Sequence, residues 1–289
     1  MNPLLADVIN VLKLKRLGAD RFEGDSRPGA AMRRVFGGLV LGQALSAAYQ
    51  TIENRPVHSL HAYFLKGGDP DHPIVYEVDR SRDGGSFSNR RVVALQHGEQ
   101  IFHLSASFHA PEAAIDRHVP MPEVAPPEEV PTFAEMVAEM KRTAPDRPTP
   151  FLDHTRPFEL RPAYMPDPET ASQDVLQQPH MKIWLKTLEE IPDDPVLHHT
   201  LLAYASDYYL LGAAGLDTRF QVDLGKLQLA SIDHAMWFHR PVRADEWILY
   251  VLDSPSASSS TGLAFGKMFS RDGRLVASTA QEGLIRRRP

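Results

Sequence analysis

The sequence predicts an α+β protein made of two antiparallel sheets, each wrapped around a long central helix. Three observations predict it. An apolar helical run followed by four strand-like segments occurs twice, over residues 35–109 and 195–282. A proline-rich stretch separates the copies: thirteen of the 24 prolines fall between Pro111 and Thr170. And 289 residues, 43% hydrophobic and 24% charged, are enough for two ordinary cores.

Taken in order, Leu4, Leu5, Val8, Ile9 and Leu12 fall at helical spacing, which predicts an amphipathic helix over residues 3–15. Val35–Ile52 follows, opened by Gly37-Gly38 and rich in small residues (Gly42, Ala44, Ser46, Ala47, Ala48). Such a helix lets another backbone come close and is buried all round. The glycine pair lacks the spacing of a phosphate-binding loop, so it reads as a tight turn into that helix. Four strands come next, Val57–Phe64, Ile74–Arg82, Ser86–Gln96 and Gln100–His109, joined by short Gly-, Asp- and Pro-containing connections that predict an antiparallel meander. Proline lacks the N–H that helix and sheet interiors use. Residues 113–155 therefore read as a linker, with one short helix over Thr132–Arg142, between units at 1–112 and 156–289.

The second unit opens with strands at Arg156–Pro162 and His180–Leu188, then a helical run within Pro195–Gly215. Leu227–Pro241, LQLASIDHAMWFHRP, reads as one long strand. Alternation puts Leu229, Ser231, Asp233, Ala235, Trp237 and His239 on one face, and Ala230, Ile232, His234, Met236 and Phe238 on the other. Its hydroxyl, carboxylate and imidazoles need partners, so it is either costly structure or part of a site. Glu246–Ser254, Gly262–Ser270 and Arg274–Glu282 complete the unit, with Asp272-Gly273 marking the last hairpin. Ser59-Leu60 matches Ser231-Ile232, and Phe102–Phe108 corresponds to Leu275–Gln281. A sheet wrapped round its own helix, twice in one chain, is a double hot-dog.

Composition excludes several function classes. The net charge of -6 offers no basic footprint for nucleic acid. With no cysteine there are no disulfides, thiol nucleophiles or thiolate metal sites. No run reaches the length of a membrane helix, and the start lacks a signal-peptide pattern, so a cytoplasmic protein without membrane partners is expected. HExxH and GxSxG are absent, His58 and His61 diverge on their strand, and no metal or cofactor is expected. Ser231 and His234, three apart on one strand, face opposite ways, which argues against a Ser-His-Asp triad. Asp233, His234, Trp237 and His239 read as supporting residues. Arg33, Arg34, Arg82, Arg90, Arg91 and Arg240 are candidate phosphate ligands, though each alone is ordinary surface or edge charge.

FGGLVLGQAL, VHSLHAYFLKGGD, LLAYASD, SIDHAMWFHRP and LVASTAQEG together resemble the acyl-CoA thioesterase II (TesB-type) family, over about residues 15 to 286. The resemblance implies hydrolysis of fatty acyl-CoA of medium to long chain to free fatty acid and coenzyme A, by a homo-oligomer (dimer or tetramer). The family's catalytic Asp, Thr or Ser, and Gln fall on Asp207, Ser231 and Gln281. This chain has Ser where many members have Thr, and Leu39 where the family's loop carries glutamine.

Read singly, Asp207 is a solvent-facing or satisfied aspartate in an apolar helix, Ser231 a strand hydroxyl and Gln281 a polar strand end. As a set, a carboxylate, a hydroxyl and an amide position one water, with the carboxylate accepting its proton. Direct attack by Asp207 through an anhydride is the other route. The helix start behind Gly37-Gly38 is a candidate oxyanion donor. Phe108 and Gln43 stand where the first unit would need counterparts of Gln281 and Asp207, which predicts one working site per chain. A hot-dog enoyl-CoA hydratase or dehydratase, which wants an Asp/His pair on the helix, and a non-catalytic acyl-CoA-binding protein are the alternatives.

Overall fold

The computed structural model describes residues 1–26, 34–113, 115–143, 156–166, 180–215 and 227–287. Helix α1 (Pro3–Leu12) is capped by the Asn2 side chain and starts on Pro3, whose missing N–H costs nothing there. Two short strands that the sequence reading missed follow, β1 (Lys15–Arg16) and β2 (Arg21–Gly24). Next come α2 (Gly37–Tyr49), β3 (Val57–Phe64), β4 (Ile74–Asp83), β5 (Phe87–Gln96) and β6 (Glu99–His109). The proline-rich stretch carries α3 (Phe133–Thr143) near its expected place. The second half contributes β7 (Phe158–Tyr164), β8 (His180–Thr187), α4 (Pro195–Ser206), α5 (Leu210–Ala214), β9 (Leu227–Ser231), β10 (Asp233–Phe238), β11 (Ile248–Ser258), β12 (Thr261–Ser270) and β13 (Leu275–Arg287).

The strands form one thirteen-stranded sheet, ordered β1-β2-β4-β5-β6-β3-β10-β13-β12-β11-β8-β7, with β9 also pairing β13. All its ladders are antiparallel. The expected meander holds only for β4-β5-β6. Strand β3 lies beside β6, not β4, and β10 correspondingly lies beside β13, not β11. Short connections fix which neighbouring strands form hairpins, but β3 reaches β4 through residues 65–73, long enough to let it cross to the far edge. The two half-sheets join through β3 and β10, where Ala235 faces His61 and Met236 faces Leu60.

Helix α2 packs on β4, β5 and β6, and α4 lies along α2. Small residues set the spacing of the helix pair. A Cβ on Gly38 would sit 2.2 Å from the Tyr204 carbonyl oxygen, and one on Gly42 would sit 3.1 Å from that of Thr200. No other residue type fits at Gly38. Gln43 is fully buried and satisfied: its amide donates to the Val11 and Asp25 carbonyls, and its oxygen accepts from the Tyr76 hydroxyl.

Arg90 is buried at 2% exposure. Its guanidinium donates to Thr51 Oγ1, to the carbonyls of Thr51, Arg82 and Asn89, and to Asp83, tying the end of α2 to the sheet. With its donors spent it is not a phosphate ligand. Arg240 donates to the Leu275 carbonyl and to Asp116, while its buried Nε has no hydrogen-bond partner among the described residues. Arg33 lies outside the described residues, and Arg34, Arg82 and Arg91 are exposed. Arg90→Ala strands several buried carbonyls, and charge-assisted hydrogen bonds are worth about 1.5–3 kcal/mol each to break. A loss of about 3 kcal/mol in urea denaturation is expected; a loss below about 0.5 kcal/mol would show that the arginine is dispensable.

Candidate active site

The expected single helical run over Pro195–Gly215 is two helices. Helix α4 ends at Ser206, Asp207 is its C-cap, and α5 begins only after Tyr209, whose φ of 67° is left-handed. A tyrosine in that conformation costs about 1 kcal/mol or more, a strain characteristic of functional sites. The break turns the Asp207 carboxylate out of the helix and across to the start of α2. There the Gly38 N–H is close enough to favour its charged form. Phe36, the N-cap of α2, supplies no side-chain cap. Asp207 caps the helix from outside, where the helix dipole favours an anion. The glycine pair is thus more than a turn. A Cβ on Gly37 would lie 2.7 Å from Asp207 Oδ2.

The expected fifteen-residue strand is also interrupted. Ser231 pairs with Gly283 and Ala235 with Ala280, so four steps on one strand match three on the other. That is a one-residue β-bulge, and it reverses the alternation across it. The Ile232 N–H pairs with the Glu282 carbonyl, and Asp233 Oδ1 takes the Glu282 N–H that the bulge leaves over. Ser231 and His234, expected on opposite faces, therefore meet the same residue. Gln281 Nε2 donates to Ser231 Oγ at 3.0 Å, and Gln281 Oε1 meets His234 Nδ1 at 2.7 Å.

Ser231 Oγ donates to Asp207 Oδ1 at 3.3 Å. The structure thus brings Asp207, Ser231 and Gln281 together from three elements. It adds His234, whose Nε2 lies 2.9 Å from Ser206 Oγ. The sequence reading gave His234 a supporting role without a partner; only the bulge reveals one. Gln281 and His234 are each 1% exposed.

Burial raises the Asp207 carboxyl to about 7, against the opposing pull of the Gly38 N–H, Ser231 and Gln281. Burial also lowers His234 to about 4, so its ring is neutral. A carboxylate that titrates near neutrality, with a hydroxyl and an amide beside it, suits accepting a proton from water. The remaining histidines serve elsewhere. His198 and His199 lie on the turn of α4 farthest from Asp207: His198 Nδ1 accepts the Ala244 N–H, and His199 Nδ1 meets the Tyr49 hydroxyl. They give Asp207 no acid–base partner. At the surface, the imidazoles of His72 and His97 both hydrogen-bond Asp69 Oδ2, at 2.8 and 3.1 Å. His239 pairs with Ser278, and Trp237 meets His61 edge-on.

The chain is similar to known proteins over nearly its whole length. The acyl-CoA thioesterase family pattern matches residues 155–284, and that of the acyl-CoA thioesterase N-terminal domain matches residues 26–109. The chain is 40% identical to acyl-CoA thioesterase 2 of Haemophilus influenzae over 288 residues, covering 99% of each. It is 38% identical to human acyl-coenzyme A thioesterase 8, over 98% of this chain and 89% of that one. Among solved structures, an acyl-CoA thioesterase II of Mycobacterium marinum superposes with a TM-score of 0.78 at 38% identity, over 97% of this chain and 98% of the other. A hot-dog protein of Alicyclobacillus acidocaldarius, 20% identical over 97% of this chain and 98% of its own, shares the fold with a TM-score of 0.75.

The raised Asp207 pKa has a stability consequence. Between 3.8 and about 7 the folded state holds a proton that the unfolded state releases. Stability from this group therefore falls as pH rises through that window and stays low above it. Asp207→Asn removes the penalty. Thermal melts should show Asp207→Asn gaining Tm over the wild type at about pH 8.5 but not at about pH 4. An unchanged difference across that range would mean the carboxylate ionises as it does in water.

Proposed function

The chain belongs to the acyl-CoA thioesterase family and hydrolyses acyl-CoA thioesters, and from that premise we propose that Asp207, Ser231 and Gln281 hold and activate the attacking water. The observation that carries this reading is the hydrogen-bonded row in which Gln281 Nε2 donates to Ser231 Oγ and Ser231 Oγ to Asp207 Oδ1, with burial raising that carboxyl to about 7. Water bound against these groups gives a proton to Asp207 as its oxygen attacks the thioester carbonyl carbon. Collapse of the tetrahedral intermediate breaks the C–S bond, and the proton on Asp207 passes to the departing sulfur. The products are a carboxylic acid and coenzyme A thiol.

A base works best with a pKa near the operating pH, since it is then both largely ionised and basic enough to take the proton. The structural use of Gln43 and the packed ring of Phe108, fully buried, support one working site per chain.

The proposal extends to fatty acyl chains of medium to long length and to a homo-oligomer, dimer or tetramer. Oligomerisation is supported by the outer face at the β3–β10 seam, which exposes Tyr63 (50%), Phe265 (39%) and Trp237 (36%). Large exposed aromatics grouped on one sheet face mark an association surface. We also read the chain as hot-dog units at 1–112 and 156–289 flanking a linker at 113–155.

General base catalysis is worth roughly a hundredfold to ten-thousandfold. Asp207→Asn should therefore lose about two or more decades of kcat in a thiol-release assay, while its circular dichroism stays native. Near-wild-type turnover by this variant would remove Asp207 from the chemistry. In the wild type, kcat/KM should rise with pH along an acidic limb set by Asp207, near 7. An acidic limb near the ordinary carboxylate range of about 4 would contradict the assignment.

A further inference from the structure

We propose that His234 is a positioning residue for the hydrolysis: as the Nδ1–H tautomer it fixes the Gln281 amide with its nitrogen toward Ser231 and Asp207. This rests on the water-activation reading above and adds to it a group that touches no reacting atom.

Gln281 Nε2 lies 3.0 Å from Ser231 Oγ, which itself donates to Asp207 Oδ1. An amide oxygen turned toward a carboxylate would be repelled, so the NH2 end must face the site, where it has two hydrogens to give. The oxygen then faces His234 Nδ1 at 2.7 Å, and only a hydrogen on Nδ1 makes that a bond. Burial keeps the ring neutral, so it has one N–H, and Nε2 is bare. Ser206 Oγ, 2.9 Å away, supplies the missing hydrogen.

The same hydroxyl lies 2.8 Å from the Ala203 carbonyl. If it donated there instead, Nε2 would carry the hydrogen and Nδ1 would be an acceptor. The Gln281 amide would then turn over, and its oxygen would draw the Ser231 hydrogen away from Asp207. Two polarities of one network are thus available, and His234 separates them. In the productive one every donor points the same way: Ser206 to His234, His234 to Gln281, Gln281 to Ser231, Ser231 to Asp207. The Tyr250 hydroxyl donates to the Ser206 carbonyl at 2.9 Å and anchors the far end.

Two measurements test this. In wild-type protein labelled with 15N-histidine, the His234 signal, identified by its loss in His234→Asn, should show a protonated Nδ1 and a bare Nε2 across neutral pH. A protonated Nε2 or an imidazolium overturns the proposal. In kinetics, His234→Leu should cost about tenfold or more in kcat, with KM changed less than about threefold. His234→Asn, which can place an N–H near the Nδ1 position, should recover most of that loss, and melts confirm that both variants fold.

In a Gln281→Ala background, His234→Leu should add less than about twofold, because its effect runs through Gln281. An equal cost in both backgrounds overturns the proposal while leaving the trio intact. Wild-type turnover by Gln281→Ala itself is a different result: it sinks the water-activation reading, and the proposal with it.

Discussion

One half-buried carboxylate set against a helix start governs how this site is built. Asp207 reaches the Gly38 N–H only because α2 carries glycine at 37 and 38, where a Cβ would collide with Asp207 Oδ2 or the Tyr204 carbonyl. It leaves α4 only because the chain breaks there, at the cost of a left-handed Tyr209. Ser231 reaches it only through the bulge between β9 and β10. Three local departures from regular structure converge on one group. Regular elements would have been more stable at each of these places.

The site also explains why two units share one chain. The helix start that holds Asp207 belongs to the first half, and every side chain of the trio to the second. Neither half contains a complete site. The close α2–α4 packing, set by Gly38 and Gly42, is therefore a functional distance as well as a structural one. In the first half, Gln43 and Phe108 are fully buried and committed to internal hydrogen bonds and packing.

Most elements were legible because their signals are local. Alternation, turn residues and small-residue helices placed β3 to β6, β11 to β13, α2 and α3 within a few residues. Strand order was not legible, since β3 pairing with β6 across the sheet is a nonlocal choice that no window of sequence records. The bulge was invisible because strict alternation assumes that no residue is inserted. Tyr208-Tyr209 gives no composition signal for a helix break; the strain at Tyr209 is imposed by the surrounding structure. The trio itself came from resemblance. Aspartate, serine and glutamine are each ordinary in their local setting, and only the assembled fold distinguishes them. His234 lay just beside the recognised residues, yet its role depends on a face reversal that the periodicity denied.

On the proposed role of Asp207, the polarity of the network follows from what a base needs. A cationic partner would pull Asp207 down toward the ordinary carboxylate range and leave it too weak to take a proton from water. Burial with no partner would push it up until it stayed protonated. Neutral donors lie between these limits: the Gly38 N–H, Ser231 and Gln281 offset part of the burial cost without adding charge. That solution requires every group behind them to be neutral too. A protonated His234, one residue away through Gln281, would act as a buried cation and shift the base. Its own burial, which lowers it to about 4, prevents this. The same exclusion of water thus raises the acid and lowers the imidazole, so the two stay apart in titration across the neutral range. On that reading, the apolar packing around His234 is part of what sets the strength of the proposed base.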